Sequence, residues 1–384
     1  MKIIVAMSGG VDSAVSAALL KEQGHEVEGV FMKNWSPETV QSLTDCPWEQ
    51  DQNDAAAVCE KLAIPFRSIN FEKEYKERVV DYFVREYALG RTPNPDVMCN
   101  KEIKFAAFLR AAEDLGAEKI ATGHYAQLEE VGGRFWLKRG VDPGKDQSYF
   151  LYTLTQAQLS KSIFPVGGLQ KTEVRQLAER FELPNATKKD SQGICFIGHI
   201  DLKKFLTEQI MAKPGGTYLL PSDTSTSLEY RKQRAPFVGR HQGVMFYTLG
   251  ERAGAIVDNG LYRHIRDGAD VPSLYVLAKD VERNILYVTE RHDDPHFYAR
   301  ELHIEAWQPE EIQTSLSLID PNLPLTMQVR YHDRDAKSVK IRADDPVTLE
   351  VEDDRGCWAV TPGQSAVVYN GDRLLGGGVV SSAV

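Results

Sequence analysis

The sequence predicts an α/β protein that begins with a doubly wound parallel sheet and continues into a β-rich carboxyl-terminal half. Over the first half, short β-branched runs alternate with amphipathic helical patterns, which is typical of parallel strands connected by helices. A glycine-rich turn directly follows the first of these runs. Beyond about residue 205, glycine, proline and short alternating runs replace the helical patterns, which indicates β-structure.

The order of strands and helices follows from these patterns. In the first half they predict a strand at 2–6, a helix at 13–23, a strand at 26–32, a helix at 51–62, a strand at 66–69, helices at 72–89 and 101–115, and a strand at 119–122. Residues 91–100 carry two prolines and little periodicity, so a loop is predicted there. Runs at 274–277, 285–288 and 339–341 predict later strands. Domain boundaries are predicted near residues 205 and 275, which gives segments 1–205, 206–274 and 275–384.

Composition and charge restrict the function classes. The chain is 42% hydrophobic and 26% charged, as in ordinary globular proteins, and no apolar run reaches the roughly 18 residues that a membrane span needs. The amino terminus runs directly into a turn and not into a signal-peptide cleavage region, so a cytoplasmic protein is predicted. The net charge of −10 disfavours indiscriminate binding to nucleic acid but permits a local basic face. Five cysteines, an odd number, favour catalytic pairing over a structural disulfide framework.

The glycine-rich turn has the sequence Ser-Gly-Gly-Val-Asp-Ser at residues 8–13. It follows a predicted strand and opens a predicted helix, so free N–H groups and the helix dipole point at any anion that approaches the glycines. The hydroxyl groups of Ser8 and Ser13 add possible donors. The lysine and the spacing of a Walker loop are missing. The alternative interpretation is a tight strand–helix turn without a ligand.

Two cysteines have neighbours typical of reactive thiols. Cys99 follows Asn-Pro-Asp at 94–96 in the proline-rich loop, and Cys195 lies in a glycine-containing segment at 190–198. Polar and glycine neighbours distinguish both from a thiol on an apolar helix face. The other cysteines are assigned to the hydrophobic core, as for Cys59 and Cys357, or left outside the candidate site, as for Cys46.

The turn at 8–13 resembles the pyrophosphate loop of the N-type ATP pyrophosphatases. These enzymes cleave ATP to AMP and pyrophosphate while they adenylate a carbonyl oxygen of the substrate. The resemblance implies ATP as a cofactor and Mg2+ to neutralise the polyphosphate, although no residue spacing identifies ligands for the metal. It assigns nucleotide contacts to the following residues: Ala6, Met7, Ser8, Gly9, Gly10, Val11, Asp12, Ser13, Met32 and Gly123.

Further motifs are spread along nearly the whole chain. They are Ala-Met-Ser-Gly-Gly-Val-Asp-Ser at 6–13, Phe-Met-Lys-Asn-Trp at 31–35, Thr-Pro-Asn-Pro-Asp with Cys-Asn at 92–100, Ala-Thr-Gly-His-Tyr at 121–125, Lys-Asp-Gln-Ser-Tyr-Phe at 145–150, Gly-Ile-Cys-Phe-Ile-Gly at 193–198 and Thr-Pro-Gly-Gln at 361–364. With these motifs the chain resembles the bacterial tRNA-specific 2-thiouridylases, the MnmA family. The resemblance implies an N-type ATP pyrophosphatase-like sheet domain, a small central tRNA-binding domain and a carboxyl-terminal β-barrel domain.

This resemblance also implies a reaction, the ATP-dependent 2-thiolation of the wobble uridine of tRNA. ATP adenylates the uracil oxygen at carbon 2, and a Cys195 persulfide supplies the sulfur. The Cys99 thiolate acts as the nucleophile that leaves a Cys99–Cys195 disulfide for an external reductant. Asp96 lies near the target base. The persulfide sulfur comes from a cysteine desulfurase or a relay protein, and the expected substrates are the tRNAs for lysine, glutamate and glutamine.

Contacts with tRNA follow from the same resemblance. It assigns them to Asn94, Pro95, Asp96, Lys145, Asp146, Gln147, Arg330 and Tyr331. Other basic residues are candidates for a basic track along the RNA: Lys188, Lys189, Lys203, Lys204, Arg231, Lys232, Arg234, Arg240, His241, Arg263, His264 and Arg266. Such residues are more often solvated surface than RNA contacts.

Three alternatives stay open at this point. Asp96, Cys99 and Cys195 offer ligands for an iron–sulfur cluster with one open iron, although clusters usually take four thiolates. Another adenylating synthetase, in which ammonia or an amine attacks, would leave both cysteines without a role. A non-enzymatic RNA-binding module with a redox-sensitive cysteine pair would leave the phosphate loop without one. A zinc site is disfavoured because the sequence has no Cys-x-x-Cys pair or histidine cluster.

Overall fold

The computed structural model describes residues 1–36, 48–190, 202–308, 316–317, 319–331, 336–343 and 347–384. The strands of its first part are β1 Lys2–Met7, β2 Glu26–Lys33, β3 Phe66–Asn70, β4 Lys119–Ala121, β5 Ala126–Val131, β6 Arg134–Arg139 and β7 Ser162–Ile163. Five of them form a sheet in the order β3-β2-β1-β4-β7, and all its neighbours are parallel. The predicted α/β class with a parallel sheet is therefore confirmed.

Helices cover both faces of this sheet. They are α1 Val11–Glu22, α2 Trp48–Lys61, α3 at residues 72–88, α4 at residues 95–114, α5 Gln156–Ser160 and α6 Lys171–Arg180. Side chains of a strand alternate between faces, so Ile3 joins the cluster under α1 and α6, with Val15 and Val174. Ile4 joins the opposite cluster, with Phe108 of α4. The sheet is thus wound on both sides, and its loops meet at the carboxyl edge.

Helix α4 starts earlier than the sequence analysis predicted. The proline-rich segment was expected to form a loop as far as Asn100, but the helix begins at Pro95 and includes a π-helical stretch at Cys99–Ala107. The Asn94 side chain caps it by accepting from the N–H groups of Asp96 and Val97 at 3.1 and 3.2 Å. Proline suits the first helical position because its missing N–H would have no partner there. Asp96 and Cys99 therefore lie on a helix.

The second half contains two further sheets. The central one has the order β10-β11-β8-β9, with β8 Gly215–Leu219, β9 Phe237–His241, β10 Tyr275–Asp280 and β11 Ile285–Thr289. Helices α7 Leu202–Gln209, α8 Leu228–Gln233 and α9 Asn259–Ile265 accompany it. Because β11 pairs with β8, the strands at 275–289 extend the central sheet past the boundary expected near residue 275. Alternating runs predict strands but not the sheet that each strand joins.

The last part is a closed barrel of six strands. They are β13 Glu301–Gln308, β14 Leu325–Gln328, β15 Lys337–Arg342, β16 Val347–Val351, β18 Ser365–Asn370 and β19 Arg373–Ala383, and a short pair of β12 Tyr298–Ala299 with β17 Cys357–Trp358 lies outside it. Pairing of β13 with β19 closes the barrel, as expected from the resemblance. The β5–β6 hairpin extends this sheet, because Lys138 pairs with Arg373. Among the described residues, no helix is both long and apolar enough to span a membrane.

The loop before α4 is held by all three parts of the chain. The N–H of Thr92 donates to the carbonyl of Pro362 beside the barrel at 2.8 Å. The Lys279 Nζ of the central sheet donates to the carbonyls of Gly90 and Tyr247 at 2.7 and 2.8 Å. These bonds fix the chain just before Asn94, and therefore fix the start of α4.

Lys279 should make the stability of the protein depend on pH. Burial lowers the pKa of its ammonium group from 10.5 to about 8, while Glu251 opposes that shift. Between pH 8 and 10.5 the unfolded chain therefore holds a proton that the folded one has lost, so the free energy of unfolding rises with pH, by at most about 1.4 kcal/mol per pH unit. We expect this rise in urea denaturation of the wild type and its loss in Lys279→Met. The exposed Lys161→Met is the control, and an identical pH profile for the wild type and Lys279→Met would contradict the prediction.

Candidate active site

The turn between β1 and α1 has the features of an anion-binding loop. Gly9 has a φ of +73°, and a Cβ there would lie 2.3 Å from the carbonyl oxygen of Asp51. Gly10 is the N-cap residue of α1 and provides no side-chain cap. Within the described part of the chain, the N–H groups of Val11, Asp12 and Ser13 have no acceptor. Such donors at a helix start bind phosphate or carboxylate.

Internal hydrogen bonds hold this loop in shape. The Ser13 hydroxyl donates to the Gly10 carbonyl at 3.0 Å, and the Gly10 N–H donates to the Ser8 hydroxyl at 3.3 Å. Asn185 donates from Nδ2 to the Gly9 carbonyl at 3.0 Å, while its buried Oδ1 has no partner among the described residues. The serine hydroxyls, expected from the sequence to face a ligand, thus also brace the loop.

The other residues assigned to the nucleotide lie around this loop. The side chains of Ala6, Met7, Val11 and Met32 are buried in the two cores, so only their main chains are available to a ligand. Gly123 follows β4 and packs on the first turn of α1, where a Cβ would lie 2.7 Å from the backbone nitrogen of Ser13. The contacts with a nucleotide predicted for these residues stay predictions.

A cluster of charges adjoins the loop. Asp12 accepts at Oδ1 from the Tyr125 hydroxyl and from Lys171 Nζ, both at 2.7 Å. Lys171 also contacts Asp190 at 2.8 Å. Asp190 binds two further cations, Lys145 at 2.6 Å and Arg175 at 2.7 Å. Burial opposes ionisation of Asp190, but its hydrogen bonds with Lys145 and Lys171 prevail and lower its pKa from 3.8 to about 2.

The sequence predicted a tRNA contact for Lys145 and gave no role to Lys171 or Arg175. Both lie on α6, a helix whose charged sequence is typical of a solvated surface. The structure turns one face of that helix toward the phosphate loop. The only signal in the sequence was the i, i+4 spacing of two cations at the start of a helix, which is too common to identify a site.

The predicted nucleophile lies in the hydrophobic cluster on the face of the sheet opposite α1 and α6. Cys99 is fully buried on α4. The adjacent Asn100 donates from Nδ2 to the Phe150 carbonyl at 3.2 Å, while its buried Oδ1 has no partner in the part of the chain that the structure describes. The Phe150 ring packs against Tyr331 with ring centroids 4.5 Å apart. Phe150 therefore contacts both Tyr331 and Asn100, the residue next to Cys99.

Carboxylates from several parts of the chain affect the pKa of the Tyr331 hydroxyl group. Burial raises the pKa of its hydroxyl to about 12, and the carboxylates of Asp146, Asp96 and Asp12 contribute to the rise. Asp146 is held by Arg139 Nη1 at 3.0 Å. Carboxylates from the phosphate loop, α4 and the segment at 145–147 thus act together on the pKa of one phenol. The contacts of these residues with RNA stay predictions.

The remaining predicted RNA contacts bind protein groups. Gln147 accepts at Oε1 from the Tyr125 N–H at 3.0 Å. Arg330 donates to the Ala359 carbonyl at 2.7 Å and lies over the Trp358 ring at 5.3 Å. Cys195 and Cys46 lie outside the described residues. In the part that the structure describes, no group of three or more His, Cys, Asp or Glu side chains is arranged to hold a metal ion.

The sequence gave no role to His124, which is a neutral histidine. Burial lowers the pKa of His124 well below 6.5, and the charge of Lys104 adds to the shift. His124 Nδ1 lies 2.7 Å from the Thr122 hydroxyl, and Nε2 lies 3.4 Å from Lys104 Nζ. Because an ammonium group only donates, Nε2 is the acceptor and Nδ1 carries the proton.

Comparison with known proteins identifies the family. Three family models match successive parts of the chain, described as "tRNA methyl transferase HUP domain" at 1–199, "tRNA methyl transferase PRC-barrel domain" at 203–290 and "Aminomethyltransferase beta-barrel domain" at 298–380. The tRNA-specific 2-thiouridylase MnmA of Escherichia coli O1:K1 / APEC is 46% identical, over 99% of this chain and 96% of that protein. The chain belongs to the tRNA-specific 2-thiouridylase family. Another member, from Proteus mirabilis (strain HI4320), is 44% identical over 100% of this chain and 98% of its own.

The resemblance inferred from the motifs is therefore confirmed. A crystal structure of a 4-thiouridine synthetase–RNA complex with bound ATP is more distant from this 2-thiouridylase family member. It covers 54% of this chain and 50% of its own, with 20% identity and a TM-score of 0.33. An identity and a TM-score this low do not support any assignment of function.

Two residues of the basic track expected for this 2-thiouridylase family member are not on the surface. Arg231 is completely buried and forms an ion pair with the equally buried Asp294 at 2.8 Å. His241 is 3% exposed. Lys188 is partly buried and pairs with Asp51 at 2.7 Å. A charged residue in a helical sequence pattern can be solvated, or it can form a buried ion pair between two segments as Arg231 does. The sequence pattern does not show which of the two applies.

The close approach at Gly123 predicts a large effect of a small substitution. In Gly123→Ala the new Cβ would collide with the backbone at Ser13, which has little freedom to move because it opens α1. We expect a loss of about 1–3 kcal/mol in the free energy of unfolding, measured with urea. Gly168→Ala is the matched control, since a Cβ there meets nothing within 4 Å. Equal stability of the two variants would show that β4 and α1 separate easily.

Proposed function

We propose that this protein is an ATP-dependent tRNA-uridine 2-sulfurtransferase. The observation that carries the proposal is the connection of an anion-binding loop to the helix that bears Cys99 through the segment at 147–150. Tyr125 donates to Asp12 of the loop and to Gln147, and Asn100 of the helix donates to the carbonyl of Phe150. The loop suits a triphosphate, and the thiol suits sulfur chemistry. Relatives that match the chain from end to end are named tRNA-specific 2-thiouridylases, which supports tRNA as the substrate.

The phosphate loop activates the uridine through ATP. N–H groups of Val11, Asp12 and Ser13 donate to the phosphates, and the dipole of α1 adds favourable charge. The uracil oxygen at carbon 2 attacks the α-phosphorus, pyrophosphate leaves, and AMP becomes a leaving group on the base. The N3 proton is released as the adenylate forms. Mg2+ would arrive with the triphosphate and would supply charge neutralisation there, and no ligands for it are assigned among the residues of this chain.

Sulfur then replaces the activated oxygen. The terminal sulfur of a Cys195 persulfide attacks carbon 2 and displaces AMP. The Cys99 thiolate attacks the Cys195 sulfur, which releases 2-thiouridine and leaves a Cys99–Cys195 disulfide. An external dithiol reduces that disulfide, and a cysteine desulfurase or a relay protein reloads Cys195. In the alternative, Asp96, Cys99 and Cys195 would hold an iron–sulfur cluster, which would supply the sulfur as hydrosulfide.

The uridine must leave its stack to reach this site, as for other enzymes that modify bases. We propose that Asn94, Pro95 and Asp96 contact the flipped base, while two segments, 145–147 and 330–331, hold the neighbouring nucleotides. The substrates proposed are the tRNAs for lysine, glutamate and glutamine. The cytoplasm is the proposed location, since ATP and newly made tRNA are present there.

A second candidate, methyl transfer to tRNA, is suggested by the names of two of the family models. A methyl group bound to a sulfonium donor already has a good leaving group, so its transfer needs no triphosphate. The phosphate loop and the two predicted catalytic cysteines would then have no role. The names of the end-to-end relatives favour thiolation.

Radiolabelled sulfur distinguishes these mechanisms. Unmodified tRNA transcript is incubated with ATP, labelled cysteine, a cysteine desulfurase and the protein, under anaerobic conditions and without added iron. We expect ATP-dependent labelling by the wild type and a loss of at least about 100-fold in Cys99→Ser and Cys195→Ser, because each removes a sulfur that must form or break a bond. Cys357→Ala is the control, because Cys357 lies on β17 outside the barrel and is buried in a hydrophobic cluster of the last part of the chain.

Each other outcome points to a specific mechanism. Labelling that appears only after an iron–sulfur cluster is rebuilt would favour the cluster. Labelling retained in both cysteine variants would exclude sulfur transfer through Cys99 and Cys195. Incorporation of a methyl group from a sulfonium donor, without sulfur, would favour methyl transfer.

A further inference from the structure

Lys171 occupies an unusual position for a lysine on a short surface helix. Its side chain is only 14% exposed, and its ammonium group lies between two carboxylates, 2.7 Å from Asp12 and 2.8 Å from Asp190. Asp12 belongs to the first turn of α1, beside the N–H groups that await an anion. The lysine therefore reaches from α6 across to the phosphate loop.

The surroundings of Lys171 set its position from several directions. Its own N–H donates to the Asp142 carboxylate at 2.9 Å, which fixes the start of α6. The Tyr125 ring lies 5.8 Å from the ammonium nitrogen, and the Tyr125 hydroxyl donates to the same Asp12 oxygen as Lys171 does. The ammonium group is thus held at one place before any ligand arrives.

The charges explain why a cation is needed at this place. A polyphosphate that approaches the N–H groups of α1 also approaches the carboxylate of Asp12, and like charges repel. Lys171 compensates Asp12 directly. An ammonium group has three protons, and two of them suffice for Asp12 and Asp190. The third has no acceptor among the residues that the structure describes.

We propose that Lys171 is a further phosphate ligand of the nucleotide, positioned by Asp12 and Asp190. This inference rests on the proposed function, since it assumes that ATP occupies the loop. The third proton of the Lys171 ammonium group donates to a phosphate oxygen. Its positive charge stabilises the negative charge that develops on the departing pyrophosphate. In this arrangement the Asp12 carboxylate positions the lysine and does not itself face the phosphates.

The test separates phosphate recognition from general stability. Titration calorimetry measures the binding of ATP with Mg2+, and of adenosine, to the full-length wild type and to Lys171→Met. A hydrogen bond to a charged group predicts that ATP binding weakens by about 10- to 100-fold. Adenosine has no phosphate, so its binding should stay within about twofold of the wild type.

A matched control lies on the same pair of helices. Arg180 of α6 pairs with Glu22 of α1 at 2.8 Å, at the end of both helices away from the phosphate loop. Arg180→Met therefore also breaks an ion pair between α1 and α6. We expect it to bind both ATP and adenosine as the wild type does. If Lys171→Met folds poorly, Lys171→Gln replaces it under the same criteria.

Three results would overturn the inference. They are unchanged ATP binding in Lys171→Met, an equal loss for ATP and adenosine, and an equal loss of ATP binding in Arg180→Met. The second result would mean that Lys171 acts only through packing. A wild type that binds no ATP would instead remove the proposed function, and the inference with it.

Discussion

The candidate site depends on the way in which the five residues before α4 are held. The Gly90 carbonyl accepts from Lys279, the Thr92 N–H donates to Pro362, and Asn94 then caps the helix. So short a loop, bound at two points, has little slack to absorb a movement of the central sheet or the barrel. The position of Cys99 on α4 is therefore determined by parts of the chain that contribute no reactive group of their own.

Charge at the carboxyl edge of the sheet is balanced before any ligand binds. Asp12 and Asp190 are compensated by the cations of α6, and burial keeps His124 neutral. A site arranged in this way needs little reorganisation when an anion enters, which favours both affinity and rate. The same balance explains how several carboxylates coexist beside a loop whose N–H groups attract negative charge.

The sequence predicted most strands and helices well, but it did not predict the contacts between residues that are far apart in the sequence. Glycines at 9 and 10 after an apolar strand correctly predicted a turn into a helix, while the binding of phosphate there stays a prediction. The start of α4 was placed too late, since two prolines suggested a loop although Asn94 and Pro95 are good capping residues. Lys171 and Arg231 were hidden because their roles depend on partners far away in the sequence, Asp12 and Asp294. Periodicity reports the face of a helix but not what that face meets.

The β5–β6 hairpin has a consequence for the folding of the protein during its synthesis on the ribosome. It leaves the exit tunnel with the first part of the chain, yet the strand that covers its edge comes at the end, as Glu129 and Arg373 are 244 residues apart. At the usual rate of synthesis that interval lasts about 10–50 s. During it, a strand edge with unpaired backbone groups is exposed to neighbouring chains. The charged residues Arg134, Lys138 and Arg139 on β6 are suited to discourage such pairing.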